Sequence, residues 1–377
     1  MEKKYGGTLI NQVMTIWTPK KLDWYIIKKF LGTFFFAILL IISIACIFDF
    51  SEKVDEFMES KPSFKMIVFD YYLNFIPYFV VLFSSLFIFI SVIFFTSKMA
   101  YDTEIIAILS SGISFRRLML PYFLSAGFLA IFSFLLNDYI IPEANRKKLD
   151  FENTYVHLKP KNFDKDNVNM QVAPGIFIQI GRFMASNNVG YNFSMEHIED
   201  NKLVSKLVSE RIEWNNSLSK WRAINYRIRN INGIYESIEK GEAIDTIFNL
   251  HPGEFKRTDK DMETMNLAEL NDFIGIMRMR GADNVKRYQV EKNKRIAFPF
   301  STFILTLIGV SLSTRKVRGG IGVQIAVGIT FSFAYILFMQ FSVQFAINGS
   351  LSPFMAAWIP NFIFLIIGLI LYRLAPK

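Results

Sequence analysis

The chain has 377 residues, 52% of them hydrophobic, with 40 phenylalanines and a mean hydropathy of +0.28. This is a membrane protein's composition and excludes an ordinary soluble domain. The net charge of +9 does not mark a nucleic-acid binder, because the basic residues flank apolar runs, as membrane orientation requires, and form no stripe of their own. Cys46, the single cysteine, excludes an intramolecular disulfide and any zinc cluster built on cysteine. His157, His197 and His251 show no ligand spacing, and no GxxxxGK[ST] phosphate loop occurs. Neither a metal, a cofactor nor a catalytic residue is therefore expected, and any ATP hydrolysis belongs to another subunit.

Residues 1–29 are polar to mixed, with Lys20, Lys21, Lys28 and Lys29 ahead of the first apolar run. Phe30–Phe48 is free of charge and as a helix is about 28 Å long, enough to cross a bilayer. It begins too late and runs too long for a cleaved signal peptide, and so reads as a signal anchor. Tyr71–Ser97, Leu118–Asn137 and Ile296–Thr314 are the next charge-free runs. Gly319–Tyr372 also carries no charge, but one helix of that length would be roughly 80 Å. The turn residues Asn348–Pro353 divide it in two. Six spans result, three before and three after a long insert.

Lys98, Arg116 and Arg117 flank one short connection, and Arg315, Lys316 and Arg318 fill another. The positive-inside rule makes both cytoplasmic, with both termini, and puts the insert outside. The insert's own basic cluster, Lys286, Arg287, Lys292, Lys294 and Arg295, lies in a long translocated segment, which escapes that rule. Within the insert, Ile176, Ile178 and Ile180 alternate with other residues, as do Tyr191, Phe193 and Met195. Trp214 and Trp221 flank a hairpin tip at Asn215-Asn216, and Ile224, Tyr226 and Ile228 continue the alternation. Short period-2 strands with polar turns predict a β-sandwich or β-roll. From Leu267 to Arg280 the period is helical, Gly281 stops it, and Asp283 caps the helix into span four. The expected segments are 1–142 with three spans, 143–265 as the β domain, 266–295 as a helical connector and 296–377 with three spans.

One connection stands out. Ala100–Arg117 reads as a small helix at about 103–111 with both ends marked. Asp102 or Thr103 caps it, Glu104 stands in its first turn where the dipole favours an acid, and Gly112 ends it. Ile105, Ile108 and Leu109 share one face, and Ser114 caps the helix that follows. On spacing alone the plainer reading, an interfacial helix among lipid headgroups, comes ahead of a docking element that passes a push into the spans.

Three stretches carry a resemblance: TEIIAILSSGIS at Thr103–Ser114, RYQVEKNKRIAFPF at Arg287–Phe300 running into GVSLSTRKVRGG at Gly309–Gly320, and NGSLSPFMAAWIPN at Asn348–Asn361. With the span order, they resemble the LptF/LptG family, the membrane subunits of the lipopolysaccharide exporter. The opening LDWYIIKKF, Leu22–Phe30, is more similar to the LptG member. The resemblance implies a polytopic α-helical membrane protein with a periplasmic β-jelly-roll insert. It implies pairing with the paralogous LptF, a coupling helix for one copy of a dimeric cytoplasmic ATPase, LptB, a contact with LptC and a periplasmic bridge, LptA, that receives lipopolysaccharide. The family's loop glutamate contacts the ATPase, and Glu104 matches it. Where the family often has an arginine two residues earlier, this chain has Asp102. Where the family often has lysines at the outer end of span one, this chain has Asp49, Glu52, Lys53, Asp55 and Glu56, of which Lys53 alone is basic.

The expected coupling residues are thus Asp102, Glu104, Ile105, Ile108, Leu109 and Gly112, with the three apolar ones filling a groove on the ATPase. Spans one and five are expected to line the lipid path through Phe34, Phe48, Gln340 and Gln344. Lys53, Lys65, Lys292 and Arg295 are expected to hold the phosphorylated headgroup, with Arg295 offering two parallel hydrogen bonds. A non-transporting scaffold or sensor with an outer binding domain is the alternative. An ion-coupled transporter fits less well, because charged residues are lacking deep in the spans.

Overall fold

The computed structural model describes residues 20–156, 164–246, 250–255, 259–282, 284–315 and 320–375. The Asp283 cap expected from the sequence and His157 fall outside them. Six helices among these residues are long and apolar enough to cross a membrane: α1 (Lys21–Ser60), α2 (Phe64–Tyr101), α4 (Phe115–Val156), α6 (Val285–Ser313), α7 (Gly320–Asn348) and α8 (Pro353–Leu374). The short α3 (Glu104–Ser110) joins α2 to α4, and α5 (Leu267–Met279) precedes α6. The helices run beyond the charge-free stretches, and Pro77, Pro121, Pro299 and Pro360 all sit inside them. Proline is tolerated in apolar spans when other groups satisfy the freed carbonyls. Near Pro77 the chain widens into a π segment, Ile67–Tyr72, and the Asn74 amide donates to the carbonyls of Phe69 (3.0 Å) and Asp70 (2.9 Å).

The described residues form two compact units, one drawn from 1–55, 62–148 and 290–377, the other from 56–61 and 149–289. In the first, α1 buries Ile26, Phe30, Phe34, Ile38 and Ile42, every fourth residue, against α2, α4 and α6 side chains such as Ile88, Val92, Tyr122 and Leu307. Polar ties supplement this packing. The Thr96 hydroxyl donates to Tyr122 (3.0 Å). Tyr335 of α7 donates to the Asn361 carbonyl oxygen of α8 (2.8 Å), and the Asn361 amide donates to the Ala297 carbonyl of α6 (2.9 Å). Gly309 of α6 allows close approach, since a Cβ there would lie 2.8 Å from Val92 Cγ1. The helices are unequally covered. In α6 67% of the most apolar window is buried and in α2 56%, against 22% in both α1 and α7.

The second unit is built on β1 (Lys165–Ala173), β2 (Ile176–Met184), β3 (Val189–Glu199), β4 (Lys202–Asn215), β5 (Lys220–Asn232) and β6 (Tyr235–Thr246), antiparallel and paired in chain order. The insert is a β domain, as expected. Among the described residues each strand pairs only with its chain neighbours, a meander without the crossover connections of a jelly roll. The alternating residues Ile178, Ile180, Phe193 and Leu207 make its core with Trp221, whose indole donates to the Leu250 carbonyl (2.7 Å). Trp214 pairs with Trp221 in register, and the Asn215 side chain accepts from the backbone of Ser217 and Leu218, closing the expected hairpin tip. α5 opens with a capping box between Asn266 and Glu269 and ends before Gly281, at φ +69°; the capping box was not anticipated from the sequence.

Candidate functional site

The α2–α3–α4 connection is held to the start of α1 by two polar contacts. Asp23 stands in α1's first turn, where its carboxylate accepts from the backbone N–H of Lys20 (2.6 Å). The same carboxylate takes a two-pronged contact from the Arg117 guanidinium of α4, at 2.7 and 2.5 Å. The Asp23 side chain is only 2% exposed. Two residues on, the Tyr25 hydroxyl donates to the Glu104 carboxylate at 3.1 Å, and the Tyr25 ring meets Phe95 of α2 edge-on. Both ends of the loop are thereby fastened to one helix. No local sequence pattern marks Asp23 or Tyr25. The available signal was opposite charge at one membrane edge: an acid just inside an apolar helix and an arginine opening another.

α3 itself differs in part from expectation. Ser114 caps α4 by accepting from the Arg117 backbone N–H, and Gly112 ends α3 at φ +89°, since only glycine takes that conformation without strain. Neither Asp102 nor Thr103 caps α3 with its side chain. Thr103 adopts φ 63°, an unusual conformation for a β-branched residue and costly by about 1–2 kcal/mol. Ile105, Ile108 and Leu109 do share a face, but it turns inward: Ile105 is 1% exposed in the core of the first unit, and Ile108 and Leu109 pack against that core. They hold α3 on its own chain, because the i, i+3, i+4 stripe is what seats so short a helix, and Ile108 and Leu109 stay half-exposed. The outward face carries Ile106, 51% exposed, with Ala107 and Ser110, beside Tyr101, Asp102 and the half-buried Glu104.

Along α1 from Asp23 lies a second polar cluster. Asp49 accepts from Lys53 Nζ (2.7 Å), Tyr71 (3.1 Å) and Tyr72 (3.2 Å). Lys53 also contacts the Tyr71 hydroxyl and lies over that ring, 4.7 Å from its centroid. Its ammonium is therefore already neutralised within the chain. On α6, Glu291 takes Lys294 (2.7 Å) and Arg295 (3.2 Å), and Arg295 is buried, 6% exposed. The sequence expectation that Arg295 reaches a headgroup is corrected: burial and pairing turn it inward. Lys292 is half-buried and Lys65 exposed. Phe34 also departs from expectation, since its place in the every-fourth stripe of α1 buries it. Phe48 is 72% exposed, and Gln340 and Gln344 are exposed on α7.

The profile of the family described as "Lipopolysaccharide export system permease LptF/LptG" matches residues 24–374. The chain belongs to the LptF/LptG family. No curated protein matches it. The LptF/LptG match covers all six apolar helices and the β domain, and it makes the chain a multi-pass inner-membrane permease subunit of lipopolysaccharide export. The match does not separate the LptF from the LptG member.

Proposed function

We propose that this LptF/LptG chain is the membrane part of an ATP-driven exporter that lifts lipopolysaccharide from the outer leaflet of the inner membrane and passes it to a periplasmic bridge. In this reading α3 faces the cytoplasm and meets one copy of the ATPase LptB through Glu104 and the Asp102 side of the turn. A paralogous permease pairs with the chain, LptC and LptA follow on the outer side, and the β domain is periplasmic. The low coverage of α1 and α7, 22% of each apolar window, carries the reading. These two helices keep large apolar side chains uncovered, Phe36, Leu39, Ile47 and Phe48 on α1, Phe341 and Phe345 on α7. Such surface suits a lipid that must enter and leave. Gln340 and Gln344 add hydrogen-bonding groups that bare acyl chains would not satisfy. The two ties from Asp23 and Tyr25 give a push on α3 a route into α1.

Photo-crosslinkers at Phe48, Gln340 and Gln344 test this in reconstituted vesicles containing the ATPase. Capture of lipopolysaccharide during ATP turnover should exceed that at Phe362 on α8 and at buried Phe34. Equal capture at Phe48, Gln340 and Phe362 would mean plain bilayer exposure and defeat the proposal.

A further inference from the structure

At the end of the first unit that carries α3, a groove of about 640 Å³ lies between the start of α4 and the last turns of α8, within the ordinary range of ligand pockets. Ile366, Leu369, Ile370 and Arg373 line it from α8 at i, i+3, i+4 and i+7, one continuous helical stripe. Three aliphatic side chains come first and a guanidinium last, in the helix's final turn. Ser114 and Arg116 face them from the start of α4, and the ring pair Phe115–Tyr372, 5.5 Å between centroids, forms a wall. Arg117 is engaged by Asp23, whereas Arg116 and Arg373 are exposed and have no ion pair with another described residue. The groove thus runs from an apolar trough within the span to two cationic side chains at its edge.

We propose that this groove is a binding site for an anionic glycerophospholipid of the leaflet on the α3 side, distinct from the path of the exported lipid. The apolar stripe takes an acyl chain, and Arg116 and Arg373 take the phosphate, each with paired N–H donors matched to its oxygens. Basic pockets between spans hold acidic headgroups by this chemistry. The occupant lies beside the α3 turn and beside Arg117, so it steadies the connection through which α3 is fastened to α1.

Native mass spectrometry of the full-length chain in nonionic detergent tests the site with phosphatidylglycerol and phosphatidylcholine of equal acyl length. Wild type should retain phosphatidylglycerol at least about tenfold better, since each cationic side chain contributes roughly a fivefold preference. Arg116→Gln with Arg373→Gln should remove that preference, Leu369→Trp should weaken both lipids by filling the trough, and Lys98→Gln should change neither. Equal retention of the two lipids by wild type, or an unchanged preference in the double arginine variant, overturns the proposal. So does displacement of phosphatidylglycerol by millimolar inorganic phosphate, which would reduce the groove to a phosphate site, and so does a Leu369→Trp chain that binds like wild type.

Discussion

The ion pairs at the two ends of α1 are built differently. Near its start, Asp23 is joined to Arg117, a residue of another helix 94 positions away. Toward its other end, Asp49 is joined to Lys53, four positions on in the same helix. A pair between helices fixes one element to another and transmits displacement. A pair within a helix neutralises charge without itself joining two elements. Glu291 with Arg295 on α6 repeats the second pattern. The α3 end is thus fastened by a charge pair between helices, whereas at the other end the charge pair is internal to α1 and the ties to α2 are the hydroxyls of Tyr71 and Tyr72.

Breaking the fastened pair should have the largest effect. Asp23→Ala leaves Arg117 without its acceptor, and removing one partner of a buried pair costs about 3–5 kcal/mol. Arg117 is 23% exposed, so solvent relieves part of that loss, and about 3 kcal/mol or somewhat less is expected. A fall in the thermal midpoint of the purified chain should show it. An unchanged midpoint would place the pair among surface contacts.

The Tyr25–Glu104 contact is next. It is partly exposed, so a double-mutant cycle of Tyr25→Phe and Glu104→Gln should give a coupling of about 0.5–1.5 kcal/mol. Glu104→Lys should also abolish pull-down of the ATPase, whereas Tyr25→Phe should preserve it while lowering lipid-stimulated hydrolysis. Normal pull-down by Glu104→Lys would show that this carboxylate serves the chain alone.

The Asp49 end should answer in the opposite sense. Asp49→Asn keeps one oxygen acceptor, for Tyr71 or for Tyr72 but not for both, and removes the negative charge beside the Lys53 ammonium. Stability should fall by roughly 1 kcal/mol, since the pair is 18% and 14% exposed, while affinity for a polyanionic lipid rises about two- to fivefold at low salt and less at physiological salt. Unchanged affinity at both salts would remove Lys53 from the headgroup site.

The smallest effect belongs to exposed pairs of the β domain. Arg229 holds the Glu236 carboxyl, and Arg222 holds the Asp245 carboxyl, below the ordinary carboxylate range, chiefly through side-chain hydrogen bonds. A carboxyl whose folded pKa is depressed contributes stability above its unfolded pKa and loses it as pH falls through the folded value. Unfolding of the β domain should therefore become slightly easier below roughly pH 4, and Glu236→Gln with Asp245→Asn should flatten that dependence.

The six helices, the turn at Asn348–Pro353 and the hairpin tip at Asn215 were legible in the sequence, because length, charge-free runs and turn chemistry are local properties. The face of α3 was legible as a stripe but not as a direction. An apolar stripe of Ile105, Ile108 and Leu109 looks the same whether it meets a partner or its own core. Arg295 was misread for a related reason. Its Glu291 partner was visible four positions earlier, yet burial is set by helices distant in sequence. The Asp23–Arg117 contact depends on α1 and α4 being neighbours, and no local pattern encodes that.

The buried line of α1, Ile26, Phe30, Phe34, Ile38 and Ile42, has a mechanical consequence. Its four-residue step exceeds the 3.6 residues of a helical turn, so the line winds around the axis by about 40° for every 6 Å of length. It acts as the thread of a screw. If α1 slides so that each side chain enters the next hole, it must also turn. A tug delivered at Asp23 would then reach Phe48 as torque, rotating the uncovered flank of the helix.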